Sequence, residues 1–253
     1  PILSAAEKER MAAYGADMNK YLDSGNEARI KKAYESRDPR LQMAVITPYA
    51  QYNGASSGIA HTYTLRWPYR GSDSAEPFDI RTDTNDKFYY LWRKFVPEGL
   101  EQTERDTYGL DIPLIRYAEV LLLKAEALNE WGSTHESEAI RCVNEVRRRA
   151  GHVELNNATY PATKVNGQSD LRERIRNEYY WEIGGEDSMY FHELRWGTWK
   201  DKKFDNNRNG LMQMWGETTY TWYWLGDQCW SWPIPAKEME MNSNLEQNEG
   251  WIN

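Results

Sequence analysis

The sequence predicts a mainly α protein: a tight two-helix scaffold that carries long loops and a small aromatic β-hairpin. Three observations predict it. Apolar residues recur at helical spacing over 111–132, 133–151 and 169–183. Residues 47–90 are polar and punctuated by glycine. Two aromatic-rich runs, within 218–232, flank Gly226-Asp227, a two-residue loop of the type II′ kind.

Taken in order, residues 4–22 read as a helix capped by Ser4, with Ala5, Met11, Tyr14, Met18 and Leu22 apolar and Gly25 at its end. Arg37-Asp38-Pro39-Arg40-Leu41 reads as a turn that leads into the apolar run Met43-Ala44-Val45-Ile46. Within 47–90, Asn53-Gly54, Gly58 and Gly71 are expected turn points. Tyr63, Leu65, Trp67 and Tyr69 alternate at period 2, as on one face of a short strand, with Arg66 between them. Residues 87–95 read as a strand or an irregular buried segment.

The clearest helix is expected from Asp111, as cap, and Pro113, near the first turn. Leu114, Ala118, Leu121, Ala125 and Leu128 form its buried stripe, Leu122 and Leu123 widen the arc, and Gly132 stops it. Ser133 and Glu136 have capping-box spacing for the next helix, whose apolar face is Ala139, Ile140, Val143, Val146 and Ala150. The connection is so short that the two helices must lie antiparallel and adjacent. With Trp131-Gly132 at the corner, the pair reads as one tetratricopeptide-type hairpin, and a single hairpin needs cover for its outer faces.

A third helix runs to Ile183 with Leu171, Ile175, Tyr179 and Ile183 inward, and Gly184-Gly185 breaks it. A shorter one spans Met189 to Trp196. In the predicted hairpin, Tyr223 faces Trp230 and Thr221 faces Trp232, while Tyr220, Trp222 and Trp224 share the other side. Pro233-Ile234-Pro235 ends it as an expected core segment, and a helix-like stretch leads on to 242–251.

Composition narrows the function. At 253 residues the chain holds one large domain or two small ones. A net charge of -8 disfavours duplex nucleic acid, which needs a basic face. No apolar run approaches the roughly 20 residues of a membrane span. Cys142 and Cys229 are too few for a disulfide framework, and Cys142 is expected to be buried and inert. The chain has 12 Trp and 17 Tyr against 5 Phe, a bias towards flat rings with a polar handle, which suit wet binding surfaces.

Four pieces in order resemble the SusD/RagB family of outer-membrane nutrient-binding lipoproteins. The first is residues 37–41. The second is Arg116-Tyr117-Ala118-Glu119 through Ala127, continued by Val143-Asn144-Glu145-Val146-Arg147 and Ala150-Gly151. The third is Ile175-Arg176-Asn177-Glu178 with Glu182 and Glu186, then Leu194-Arg195-Trp196. The fourth is Pro233-Ile234-Pro235 with residues 244–248 and Gly250-Trp251. The sequence departs from the family pattern at Glu186-Asp187, Met189 and His192-Glu193.

The resemblance implies a single SusD-like region over 1–253 that corresponds to the C-terminal half of a family member. The N-terminal half, the signal peptide and the lipid-bearing cysteine lie outside it. It also implies a non-catalytic, surface-exposed protein of the Gram-negative outer membrane. Such a protein binds an oligosaccharide, a polysaccharide or another nutrient and sits over a SusC-like TonB-dependent transporter, with membrane attachment only through a lipid anchor absent from this chain.

Sugars are held by stacking on flat aromatics, with Arg, Asn and Asp bonding the hydroxyls. Tyr63, Arg66, Trp67 and Tyr69 have that composition and are the first candidate site. Tyr220, Trp222 and Trp224 are the second. The structural alternative is that these rings are packing residues, and the chain is then a tetratricopeptide-type scaffold for a protein partner. Glu178 and Glu182, or Glu182 and Glu186, share a helix face as a glycoside hydrolase pair would, but any acidic helix offers such pairs. No cofactor is implied and no metal is expected. Asp205, Asn207, Asn209 and Gly210 match the first half of a calcium loop, and the match fails at Gly216, where a glutamate is needed. Arg147-Arg148-Arg149 reads as a solvated helix end.

Overall fold

The computed structural model describes residues 32–35, 37–47, 50–56, 59–65, 79–80, 91–99, 109, 111–186, 188–203 and 224–251. The predicted helix at 4–22 and the calcium-like loop at 205–216 lie outside the described residues. The chain divides into two units, 1–189 and 190–253.

Among the described residues, the first unit is built on three long helices. Helix α2 is Tyr117–Trp131, α3 is Glu136–Arg149 and α4 is Gln168–Ile183. A short helix, α1 at Pro39–Ala44, precedes them. The core forms where the sequence places it: Leu121, Leu122, Ala125 and Leu128 of α2 meet Ala139, Ile140, Val143 and Val146 of α3. Leu171, Ile175, Tyr179 and Ile183 of α4 close the layer and are all buried. Gly132, at φ 137°, turns the chain from α2 into one 3-10 turn, Ser133–His135. In place of the expected capping box, Glu136 N–H bonds the Ser133 carbonyl, so the main chain performs the cap and the side chains do not.

The start of α2 differs from expectation. Residues 111–116 are not helical, and Leu114 is 89% exposed instead of opening the buried stripe. Arg116 is extended, at φ -110° and ψ 149°, and its side chain reaches Glu182 and Glu186 on the far side. Two carboxylate partners outweigh one more helical turn. Beyond this point Tyr117, Val120, Leu123 and Trp131 leave an apolar stripe of α2 exposed. At the other end, α2 and α4 are clasped: Gln168 Nε2 donates to Asn129 O at 2.7 Å, and Asn129 Nδ2 donates to Gln168 O at 3.2 Å.

The expected turn at residues 37–41 is a helix start. Asp38 Oδ1 accepts from Arg40 N at 2.9 Å and Pro39 takes the first helical position. Strand β1, Val45–Ile46, follows and pairs antiparallel with β5, Leu91–Trp92. Between them β2, Gln51–Ser56, and β3, Ile59–Leu65, form an antiparallel hairpin, and β4, Asp79–Ile80, joins β3 in parallel. Asn53-Gly54 therefore lies inside a strand and is not a turn. The outer edge of β2 is covered: Arg93 Nη1 donates to Gln51 O, Asn53 N donates to Glu98, and Arg93 and Glu98 pair at 2.5 Å.

The second unit holds α6, Trp199–Lys203, and α7, Ala236–Met241; between the α4 end and α6 runs α5, Ser188–Arg195. The hairpin expected around Gly226-Asp227 is corrected on its described arm. Asp227–Trp230 is a 3-10 turn, which Gly226 enters at φ 140°. Trp251 Nε1 donates to the carbonyls of Gln228 and Ser231. Pro233-Ile234-Pro235 is also not core: both prolines are exposed and Ile234 is half-buried. Its carbonyl and amide are bonded instead by the Gln247 side chain, at 3.0 and 2.8 Å.

Candidate functional site

Of the first candidate set, the described residue is Tyr63; Arg66, Trp67 and Tyr69 lie outside the described residues. Tyr63 sits on β3 directly opposite Tyr52 of β2, half-buried, while Tyr52 is buried. Gly54 is what lets both rings lie on that face. A β-carbon there would fall 2.6 Å from Tyr63 Cε2 and 3.4 Å from Tyr52 Cε1. His61 stands edge-on to Tyr63, with centroids 6.3 Å apart at 73°. Tyr52 OH donates to Pro97 O at 2.8 Å, and burial pushes its phenol above its ordinary value. Tyr52 anchors the hairpin and Tyr63 is its partly open ring.

On the opposite face Thr62 Oγ1 donates to Asn53 Oδ1 at 3.1 Å, and both residues are exposed. The hairpin thus carries aromatic rings on one side and short hydrogen-bonding groups on the other. Sugars are recognised by these two kinds of group. Sequence reasoning missed Tyr52 and His61. The signal was present, since Tyr52 and Gly54 alternate as Tyr63 and His61 do, but Asn-Gly masked it.

Of the second set, Trp224 is described, and Tyr220 and Trp222 lie outside the described residues. Trp224 is committed to local packing. Its Nε1 donates to Asp227 Oδ1 at 3.3 Å, Lys200 Nζ lies 5.6 Å from its ring centroid, and Trp230 is 5.0 Å away.

The three glutamates of α4 and its end occupy a charged cluster. Glu178 is fully buried, and its two oxygens accept from Arg40 Nη1 and Arg147 Nη1, each at 2.7 Å. Glu182 accepts from Arg40 at 3.2 Å, Arg116 at 3.0 Å and Arg149 at 2.5 Å. Glu186 accepts from Arg116 at 2.6 Å and from Lys94. Lys94 also donates to the carbonyls of Glu182 and Gly184, which the end of α4 leaves without helical partners. Burial works to raise the Glu186 carboxyl; Arg116 and Lys94 overcome it and hold it below the usual carboxylate range. At Asp38 burial is likewise overcome by Arg40. Arg40, although burial opposes its charge, is held above its ordinary value by Asp38 and Glu178.

This arrangement corrects the reading of the arginine run at Arg147, which is buried on Glu178; Arg148, paired with Glu154, and Arg149, which reaches Glu182, keep exposed side chains. The cluster also joins the first three motif pieces, since Asp38 and Arg40, Arg116 and Arg147, and the three glutamates meet there. The fourth is a separate clasp in the second unit. There Gln247 holds Ile234 and Asn248 Nδ2 donates to Trp232 O at 2.6 Å. Of the departing positions, Met189, His192 and Glu193 are buried, and His192 stacks on Trp196 at 5.7 Å. Cys142 is buried, as expected, and burial pushes its thiol up. Among the described residues no helix is long and apolar enough to cross a membrane.

Comparison with known proteins agrees with this architecture. A SusD-like protein, P38, of Formosa agariphila is 32% identical over 139 residues, 54% of this chain and 24% of its own length. The starch-binding protein SusD of Bacteroides thetaiotaomicron is 28% identical over 161 residues, 63% of this chain and 25% of its own. The matches thus span about a quarter of each curated relative. Among solved structures, a SusD-like protein of Bacteroides fragilis superposes with a TM-score of 0.62 at 22% identity, covering 87% of this chain and 40% of the other. A SusD-like carbohydrate-binding protein of the same organism gives 0.52 at 24%, covering 84% and 42%. These two share the fold. The family model described as the SusD family matches residues 11–251, and the chain belongs to that family.

Proposed function

We propose that this chain is part of a non-catalytic glycan-capture protein at the outer-membrane surface, with Tyr63, Arg66, Trp67 and Tyr69 contributing to the sugar site. The observation that carries the reading is membership of the SusD family, one curated relative of which is named a starch-binding protein. The half-open ring of Tyr63 on its hairpin supports the choice of site, because an aromatic face attracts the positively polarised C–H bonds of a sugar. The captured glycan is passed to a SusC-like TonB-dependent transporter, and the whole protein is held at the membrane by a lipid anchor. Engagement of Glu178 and Glu182 by four guanidinium groups supports a binding role over a hydrolytic one. A glycosidase acid must present its carboxyl to the glycosidic oxygen, and the oxygens of these two are taken by ion pairs.

Affinity electrophoresis and isothermal titration against a panel of polysaccharides test the reading. Retention by at least one glycan, weakened in Tyr63→Ala and Trp67→Ala with folding intact, is the expected result. The exposed apolar stripe of α2 favours a second reading, a scaffold for a protein partner. On that reading the same two substitutions lower stability and leave no glycan affinity to lose.

A further inference from the structure

Beside the charged cluster of the first unit lies a recess of about 100 Å³, lined mainly by Arg40, Lys94, Arg116, Arg149, Trp181 and Glu182. Four cations and one carboxylate face it. Asp38, Glu178 and Glu186, which balance those cations, do not line it. Across the cluster, the five cations Arg40, Lys94, Arg116, Arg147 and Arg149 meet the four carboxylates Asp38, Glu178, Glu182 and Glu186, so one positive charge is in excess.

Arg149 is the most available of the five. Its side chain is 58% exposed, and its ion pair uses one nitrogen on Glu182 Oε2, an oxygen that Arg40 already shares. A guanidinium carries five N–H donors, so most of those on Arg149 point to no carboxylate. Trp181 beside it is 46% exposed, with Arg147 6.0 Å from its ring centroid and His152 stacked at 5.9 Å. The recess has room for an oxyanion group, and the exposed Trp181 ring lies beside it. Burial also pulls the Lys94 ammonium below its ordinary value in spite of Glu186.

We propose that this recess binds the carboxylate or sulfate group of an acidic sugar, with Arg149 as the chief donor and Trp181 as the platform for the ring. The proposal rests on the glycan-binding reading and adds a charge requirement to it. The recess is distinct from the Tyr63 hairpin in the residues it uses.

The test is isothermal titration of the full 253-residue chain at fixed ionic strength with glucuronate, glucose 6-sulfate, glucose and inorganic sulfate. Saturable binding of one or both acidic sugars, tighter than inorganic sulfate and absent for glucose, is expected. The two acidic arms tell carboxylate from sulfate. Arg149→Met lowers the affinity at least about tenfold, the loss of one charge-assisted hydrogen bond. Arg149→Lys recovers part of it, and Arg172→Met, which removes an arginine paired with Glu130 away from the recess, leaves it unchanged. Trp181→Ala, at an exposed position, gives the same direction should Arg149→Met unfold. Three results overturn the proposal: no binding of either acidic sugar, equal binding of inorganic sulfate, or affinity that survives both the Arg149 and Trp181 substitutions. A chain that retains a neutral polysaccharide yet ignores acidic sugars sinks this proposal and leaves the glycan reading standing.

Discussion

Glu178→Gln isolates the centre of the ion-pair cluster. Gln has the same shape, removes the charge and replaces one acceptor oxygen with an N–H₂ donor. In the native chain Glu178 has no exposed surface, and each oxygen accepts from a guanidinium at 2.7 Å. After substitution Arg40 keeps Asp38 and Glu182. Arg147 does not fare so well: it is buried, and it keeps only the Val153 carbonyl at 2.7 Å and the His152 ring nitrogen. Breaking a buried pair by removing one partner costs about 3–5 kcal/mol, because the stranded charge stays desolvated. For a chain of this size that lowers Tm by roughly 6–20 °C. Urea unfolding followed by tryptophan fluorescence measures it, with an unchanged m-value as the check on two-state behaviour. Adding Arg147→Met should return part of the loss, since no buried charge is then left unpaired. A loss under about 1 kcal/mol for Glu178→Gln, or strict additivity in the cycle with Arg147→Met, would refute the view that this pair holds the helices together.

Three further outcomes follow from the same contacts. Asp38 and Glu186 have folded-state values below those of free carboxyls, so they stabilise fully above about pH 5 and lose that contribution as pH falls through their folded values. Stability should therefore decline on acidification with a slope that Glu186→Gln reduces; a stability maximum near pH 4 would contradict this. Cys142 should resist a thiol reagent in the folded chain and react on unfolding, whereas half-buried Cys229 reacts sooner; two equally fast thiols would place Cys142 outside the core. Gln247→Ala should cost about 1.5–4.5 kcal/mol for three lost hydrogen bonds, two to Ile234 and one from Asn248 N, and speed exchange of the Ile234 amide; unchanged exchange at Ile234 would show that the clasp is not formed in solution.

Periodic apolar spacing was enough to define α3 and α4, the buried stripe of α2 from Leu121 onward and the stop at Gly132. A helix face must be apolar along its whole length to be buried, and that demand is local and visible in one dimension. The ordered motif pieces likewise placed the chain in its family. Charge pairing was not legible in the same way. Arg147 and Arg148 are neighbours of the same type, yet one is buried on Glu178 and the other is solvated on Glu154, because helix rotation and the position of α4 decide between them. Arg116, bonded to Glu182 and Glu186, lies outside the helix that Asp111 and Pro113 predict. Asn53-Gly54 became strand interior because Tyr52 and Tyr63 needed a residue without a β-carbon between them. Gly226-Asp227 opened a 3-10 turn closed by its own main chain, and Trp251, from far along the chain, donates to two of its carbonyls. By itself the sequence determined the helices, the family and the aromatic character of the hairpin region. The tertiary structure decided which arginine serves which glutamate and where the cationic recess lies, because those depend on side chains brought together from distant parts of the chain.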